Sequence, residues 1–221
     1  MKQENLQSYV TYTNYEAIDQ YIETDLDYIE KADLVYLNFD VSQKKMLFTL
    51  GVLFAAGKKI SITNPEDLKL DTGKKCFDRM ANYWASNNLE PMIINETDEN
   101  KKFLICPVKD ATSEQLKIMS DHVTACERQG YIFHDPNRDT NQDDSIGYRI
   151  CTDNANAIGA SKSVDIFYSK TSKGSLFDLG VAYYLRKPLI LINQNEIVFD
   201  ENDFGDRLIM NWPTKSKTLV K

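Results

Sequence analysis

A small-residue loop, Ser172-Lys-Gly-Ser175, stands before an apolar stretch that reads as a helix, Leu176 to Arg186, and Asp178 follows one turn later. Such a loop at a helix N-terminus lets backbone N–H groups approach an anion closely, and the helix dipole favours that anion. Asp178 lies between Phe177 and Leu179, ahead of Gly180, so a carboxylate is set in an apolar frame. The plain alternative is an acid placed in the first turns because it suits the dipole. Glycine inside a helix costs about 1 kcal/mol relative to alanine, so Gly180 points to close packing beneath the loop. Other chemistries fit less well. Ser172, His134 and Asp178 could be imagined as a hydrolase triad, but no G-x-S-x-G elbow is present. Gly73-Lys74 is not a phosphate loop, since Leu68 stands where that motif needs glycine.

These residues need elements to hold them, and residues 103–193 alternate strand and helix. Phe103-Leu-Ile-Cys-Pro-Val108, Tyr131-Ile-Phe-His134, Val164-Asp-Ile-Phe-Tyr168 and Pro188-Leu-Ile-Leu-Ile192 read as strands. Thr112 and Gln115 have capping-box spacing and open a helix with Leu116, Met119, Val123 and Cys126 on one face, stopped by Gly130. A polar loop follows at 137–144, then a helix from near Tyr148 to Ala160. Short β-α-β units of this kind favour a parallel sheet with helices on both faces. Residues 76–87 form a further helix, with Phe77, Met80 and Trp84 on one side, between polar linkers at 65–75 and 95–102. The tail beyond Asn193 is too mixed to assign.

The first third repeats part of this pattern. Shifted by 129 residues, Leu47-Phe-Thr-Leu-Gly-Val52 falls on Leu176-Phe-Asp-Leu-Gly-Val181, and positions 29–64 give 10 identities in 36 without a gap. This reads as an internal duplication whose first copy is incomplete, with Tyr9-Val-Thr-Tyr12 as one further strand. The copies share the apolar frame but differ where chemistry needs them to. Gln43-Lys-Lys-Met46 replaces the small-residue loop, and Thr49 stands opposite Asp178. A working site therefore belongs to the second copy.

Composition excludes several classes. The chain has 221 residues, 42% hydrophobic and 27% charged, which is ordinary for a globular protein and excludes a wholly disordered one. A net charge of −7 argues against binding a nucleic-acid polymer. The twelve tyrosines are scattered rather than spaced as stacking platforms. No window approaches the roughly 18 apolar residues of a membrane span, and the N-terminal residues carry no apolar signal core, so a cytoplasmic protein is expected. Cys76, Cys106, Cys126 and Cys151 have no C-x-x-C pair and read as reduced core thiols. His122 and His134 have no neighbouring ligand cluster in the sequence, so neither a metal nor another cofactor is expected.

Taken together, Phe103-Leu-Ile-Cys-Pro-Val108, Arg138-Asp-Thr-Asn-Gln142, Ile150-Cys-Thr-Asp-Asn154 and Ser172-Lys-Gly-Ser-Leu-Phe-Asp-Leu-Gly180 resemble the nucleoside 2-deoxyribosyltransferase-like superfamily. The resemblance covers residues 103–193 as a complete unit and 22–64 as a partial, degenerate copy. It implies that Asp178 is the nucleophile that attacks the anomeric carbon and expels the base. Ser172, Gly174 and Ser175 then face the sugar or a 5′-phosphate, Pro107, Val108 and Lys109 shape the base and sugar pocket, and Arg138 and Asp139 reach the same mouth. Asn154, with Asp153 adjacent, takes the position of an aspartate that assists the base. Two departures stand out: the family's usual nucleophile is glutamate, and the assisting aspartate is here Asn154. A carboxylate stabilises and can trap the oxocarbenium-like state, and a second carboxyl must protonate the base. Asp153 and Asp139 are candidates that the sequence does not rank.

The expected architecture is an α/β protein with a doubly wound parallel sheet, Rossmann-like. It comprises a degenerate half-repeat at 1–75, a helix and linker at 76–102 and the complete domain at 103–221. The expected function is cleavage or transfer at the N-glycosidic bond of a (deoxy)nucleoside or its 5′-monophosphate. The alternative is a non-catalytic nucleotide-binding module. The expected partners are a small nucleoside or nucleotide, with no membrane, in a homo-oligomer or an internal pseudo-dimer that packs helix 46–57 on helix 175–186.

Overall fold

The computed structural model describes residues 9–12, 21–70, 76–108 and 111–213. It is an α/β protein built on two parallel sheets. The first sheet has the order β1 (Tyr9–Tyr12), β2 (Leu34–Leu37), β3 (Lys59–Ile62), with α1 (Tyr21–Lys31) and α2 (Lys44–Ala55) in the connections. A separate helix, α3 (Phe77–Ser86), leads to the second sheet. That sheet comprises β4 (Asp98–Ile105), β5 (Ile132–His134), β6 (Ser161–Ile166) and β7 (Leu189–Leu191) in the order β5-β4-β6-β7. Its connections are α4 (Ser113–Glu127), the short α5 (Pro136–Asp139), α6 (Tyr148–Ala160) and α7 (Lys173–Tyr184), and α8 (Phe204–Met210) closes the described chain. No helix among the described residues is long and apolar enough to cross a membrane.

Alternation along the second sheet sends neighbouring residues to opposite sides. Leu104, Cys106 and Phe167 pack with Met119, Val123 and Cys126 of α4. Phe103, Ile105, Val164 and Ile166 pack with Cys151, Ala155 and Ile158 of α6 and Leu176 and Leu179 of α7. That second core runs on without a break into Leu47, Phe48, Leu50 and Phe54 of α2.

Helices α2 and α7 meet through their glycines. A Cβ on Gly51 would lie 2.0 Å from the carbonyl oxygen of Phe177, and a Cβ on Gly180 would lie 2.0 Å from that of Phe48. Gly180 thus permits contact with α2 rather than packing beneath the Ser172 loop. Positions 129 apart also make the same bonds. Phe39 N donates to Asn64 Oδ1 at 2.8 Å and Asn64 Nδ2 donates to Phe39 O at 3.0 Å. Tyr168 N and O are held by Asn193 in the same way, at 2.9 and 3.0 Å. Lys58 Nζ donates to Glu30 O at 2.9 Å, and Lys187 Nζ to Gly159 O at 2.8 Å. The strand registers agree as well, Tyr12↔Leu37↔Ile62 in one sheet and Ile105↔Ile166↔Leu191 in the other.

Several boundaries differ from the sequence reading. Asp98 to Lys102, read as linker, are the first five of the eight residues of β4. Their charge does not prevent strand pairing, because Lys102 is answered inside the sheet. Its Nζ lies 3.2 and 3.0 Å from the two oxygens of Asp165, which is fully buried. Part of the polar loop at 137–144 belongs to α5, whose Asp135 cap accepts from Asn137 N. The capping box of Thr112 and Gln115 forms, but Leu116, expected on the core face, is 43% exposed.

The Lys102–Asp165 pair makes a stability test. Removing one partner strands a buried charge, so Asp165→Ala is expected to lower the unfolding free energy by about 3 kcal/mol. Joint replacement of Lys102 and Asp165 by apolar residues is expected to recover most of that loss in a urea titration. An Asp165→Ala protein as stable as wild type would show that the pair is not desolvated.

Candidate functional site

The chain leaves β4 through Cys106-Pro107-Val108 towards α4, and leaves β6 towards α7 through the loop ending in Thr171 and Ser172. Two adjacent parallel strands whose chains turn to opposite faces leave a crevice at their C-terminal ends, the usual ligand position in open α/β sheets. A cavity of about 420 Å³ occupies it. Pro107, Val108, Asn154, Ser172, Gly174 and Asp178 all line it, so residues spread over 72 positions of sequence (107 to 178, inclusive) meet there.

Asp178 is 4% exposed. Asn154 Nδ2 lies 3.5 Å from each of its carboxylate oxygens. The amide is oriented from behind: Thr140 Oγ1 donates to Asn154 Oδ1 at 2.9 Å, and His134 Nε2 lies 2.9 Å from the same hydroxyl. Thr140 spends its proton on Asn154, so it accepts from His134 Nε2–H. Burial pulls the His134 pKa below its usual value, which favours the neutral ring, and the bond to Thr140 then needs the ring proton on Nε2. The ring stacks on Phe103, with centroids 5.3 Å apart. A chain of three side chains therefore turns an amide donor, and not an acceptor, towards Asp178.

Ser172 caps α7. Its Oγ accepts from Ser175 N and from Ser175 Oγ, the latter at 2.8 Å. Ser175 is therefore a buried internal partner of Ser172 and does not line the cavity. Gly174, in the first turn, has nothing within 4 Å of where a Cβ would stand.

Besides Ser175, three further expected site residues lie away from the cavity, and Lys109 lies outside the described residues. Asp153 is one residue from Asn154 on α6, and the helical period turns it about 100° away. It is paired with Arg149 at 3.0 Å and half-exposed. Arg138 and Asp139 bond each other at 2.9 Å, and Arg138 also reaches Glu127 and the carbonyl oxygen of Phe133. Burial pushes the Asp139 carboxyl up, but bonds from Arg138 and Asp135 N hold it below its usual range. The pair borders a different cavity, at Lys102 and Phe133. Here the solvated, ion-paired reading of this loop prevails.

The sequence reading also missed residues that reach the cavity. Val41, Cys76, Phe77 and Asp78 come from outside the 103–221 unit, and Cys106, Gln142, Ile150 and Thr171 from within it. The helical pattern marks Phe77 for packing alone. Cys106 is no nucleophile: burial pushes its thiol pKa well up, and its sulfur accepts from Asn137 Nδ2 at 3.3 Å. All four cysteines are free thiols.

His122 does have a ligand cluster, contrary to the sequence reading. Donor atoms of His122, Cys126 and Asp165 lie within 4.8 Å of one another. Helical spacing puts His122 and Cys126 on one face of α4, where the sheet presents Asp165. Lys102 already balances the Asp165 charge that a metal cation would neutralise. His122 also meets Asp165 and Cys126 through the same nitrogen, Nε2, which is not the geometry of a relay triad.

Comparison of the chain with protein families, curated proteins and solved structures returns no match.

Proposed function

We propose that the protein cleaves or transfers the N-glycosidic bond of a (deoxy)nucleoside or nucleoside 5′-monophosphate, with Asp178 as the nucleophile. The observation that carries this reading is the convergence of Asp178, Asn154, Pro107, Val108, Ser172 and Gly174 on one cavity of about 420 Å³. That size suits a drug-sized ligand. On this reading the second sheet is a doubly wound, deoxyribosyltransferase-like unit. The first sheet is its degenerate partial copy, an internal pseudo-subunit, supported by the equivalent bonds of Asn64 and Asn193 and of Lys58 and Lys187. Thr49, facing the position of Asp178 in the repeat, supplies no carboxylate.

The chemistry follows from the surroundings of Asp178. An oxocarbenium-like state concentrates positive charge at the anomeric carbon, and a buried carboxylate stabilises it more than a solvated one does. Asn154 donates to the carboxylate and so fixes its orientation without adding a competing charge. The nucleophile is shorter than glutamate by one methylene, so the sugar must enter deeply, between Pro107-Val108 and the first turn of α7.

Incubation with deoxynucleosides and their monophosphates, with and without an acceptor base, tests the reading. Base release identifies a hydrolase and base exchange a transferase. Binding without turnover identifies a nucleotide-binding module.

The leading N–H groups of α7 have no intrahelical acceptors, the dipole adds about half a positive charge, and Lys173 lines the cavity. A 5′-monophosphate is therefore expected to bind more tightly than its nucleoside in a calorimetric titration. Gly174→Ala meets no protein atom, so it is expected to keep or slightly raise the melting temperature while weakening the monophosphate selectively. Equal affinities for the two ligands in the wild-type protein would remove the phosphate role.

A further inference from the structure

Cleavage of an N-glycosidic bond needs a second acid, because a purine or pyrimidine leaves poorly as an anion. The two carboxyls offered by the sequence do not serve. Asp153 is paired with Arg149 outside the cavity, and Asp139 is held ionised by Arg138. Asn154 has no acidic proton. The cavity nevertheless has a second carboxyl.

Asp78 lies in the first turn of α3 and lines the same cavity as Asp178. The two arrive by parallel routes. Phe77 and Phe177 stack in a tilted pair with centroids 5.6 Å apart, and each is followed directly by its aspartate. The aromatic contact pins the start of α3 to α7, so the position of Asp78 is set by the packing that sets Asp178. Only 6% of Asp78 is exposed, and the Cys76 thiol lies 3.8 Å from its Oδ2.

We propose that Asp78 is the acid that protonates the departing base, with Asp178 and Asp78 dividing the roles of nucleophile and proton donor. This rests on the glycosidic reading above. In the step, a carboxylate oxygen of Asp178 forms a bond to C1′ as the C1′–N bond breaks. The bonding pair leaves with the base, and the Asp78 carboxyl proton passes to the base nitrogen. Water or an acceptor base then displaces Asp178 from C1′, and the proton it releases returns to Asp78.

The surroundings shift Asp78 towards its protonated form. An acid in a first helical turn is ordinarily favoured in its charged form by the dipole. Here burial pushes the Asp78 pKa up. The repulsion of Asp40 acts in the same sense, against the Cys76 bond and the attraction of Lys173 and Lys69. A carboxyl whose surroundings raise its pKa is the one of a pair suited to the acid role.

Substrates that differ in their need for a proton test this. A purine deoxynucleoside needs one; a 4-nitrophenyl 2-deoxyriboside does not, since nitrophenolate leaves unaided. Asp78→Asn is expected to lower kcat on the nucleoside by at least about 100-fold, and to change nitrophenyl cleavage less than about threefold. It is also expected to abolish the fall of kcat/KM at high pH, while Asp78→Glu restores part of the nucleoside rate. If Asp78→Asn lowers both rates equally, or neither, the proton-donor role is overturned and the nucleophile reading survives. If wild type cleaves neither substrate, both fall together.

Discussion

Asp178→Ala is expected to reduce turnover by more than about 1000-fold, as removal of a nucleophile usually does, with little change in melting temperature. Thr49→Ala is expected to leave turnover unchanged, at a stability cost of about 1 kcal/mol for the buried group lost. The stability half is the less obvious. Asp178 is a carboxylate at 4% exposure, and desolvating a charge costs several kcal/mol that only its partners offset. Its removal relieves that cost but leaves the Asn154 amide without an acceptor, a loss of about 1 to 3 kcal/mol. The two terms oppose each other, so the net change is small. A site whose residues work against stability is the ordinary sign of function taking precedence over packing. Thr49 lies within α2, and its replacement removes one hydroxyl and one methyl group. If the Thr49→Ala protein lost activity as fully as the Asp178→Ala protein, the division of labour between the two halves would be wrong. Unchanged turnover in the Asp178→Ala protein would remove the nucleophile itself.

What was legible in the sequence was local. The apolar frame around Gly51 and Gly180, the capping box of Thr112, and the strand–loop–helix run into Asp178 each depend on residues a few positions apart. The 129-residue offset extended that reach, because Asn64 and Asn193 are identical for the same reason: each ties the second residue after its neighbouring strand, Phe39 or Tyr168, through both amide atoms. What escaped depended on docking between distant segments. Lys102 looked like linker because its partner Asp165 lies 63 residues on, in the neighbouring strand. Asp78 sits in a helix whose pattern (Phe77, Met80, Trp84) signals only packing, and it becomes part of a site when Phe77 meets Phe177. Arg138 and Asp139 misled for the opposite reason. Charges next to a strand end fit a site and an ion-paired loop equally well, and the nearby Glu127 decided the matter.

Replacing Gly51 or Gly180 by alanine sets two principles against each other. Helix propensity favours alanine by about 1 kcal/mol, so on an isolated helix either change would stabilise. In the folded chain the new methyl would stand 2.0 Å from a carbonyl oxygen of the facing helix, in both directions. Backbone cannot rotate aside as a side chain can, so α2 and α7 must separate. Overpacking of this kind costs about 3 kcal/mol, which outweighs the propensity gain. The separation also disturbs the aromatic contacts across the seam, Phe54 with Phe177 at 5.5 Å and Phe48 with Tyr183 at 5.4 Å. Phe177 immediately precedes Asp178, so a shift of about 1 Å there is expected to lower turnover about 100-fold as well. Because both glycines serve one contact, the double variant is expected to lose much less than the sum of the singles; helices already apart are not pushed apart again. Urea titrations of the two single variants and the double one measure this directly. A Gly180→Ala protein more stable than wild type by about 1 kcal/mol would mean that propensity alone governs the position, and that α2 and α7 do not meet at their glycines.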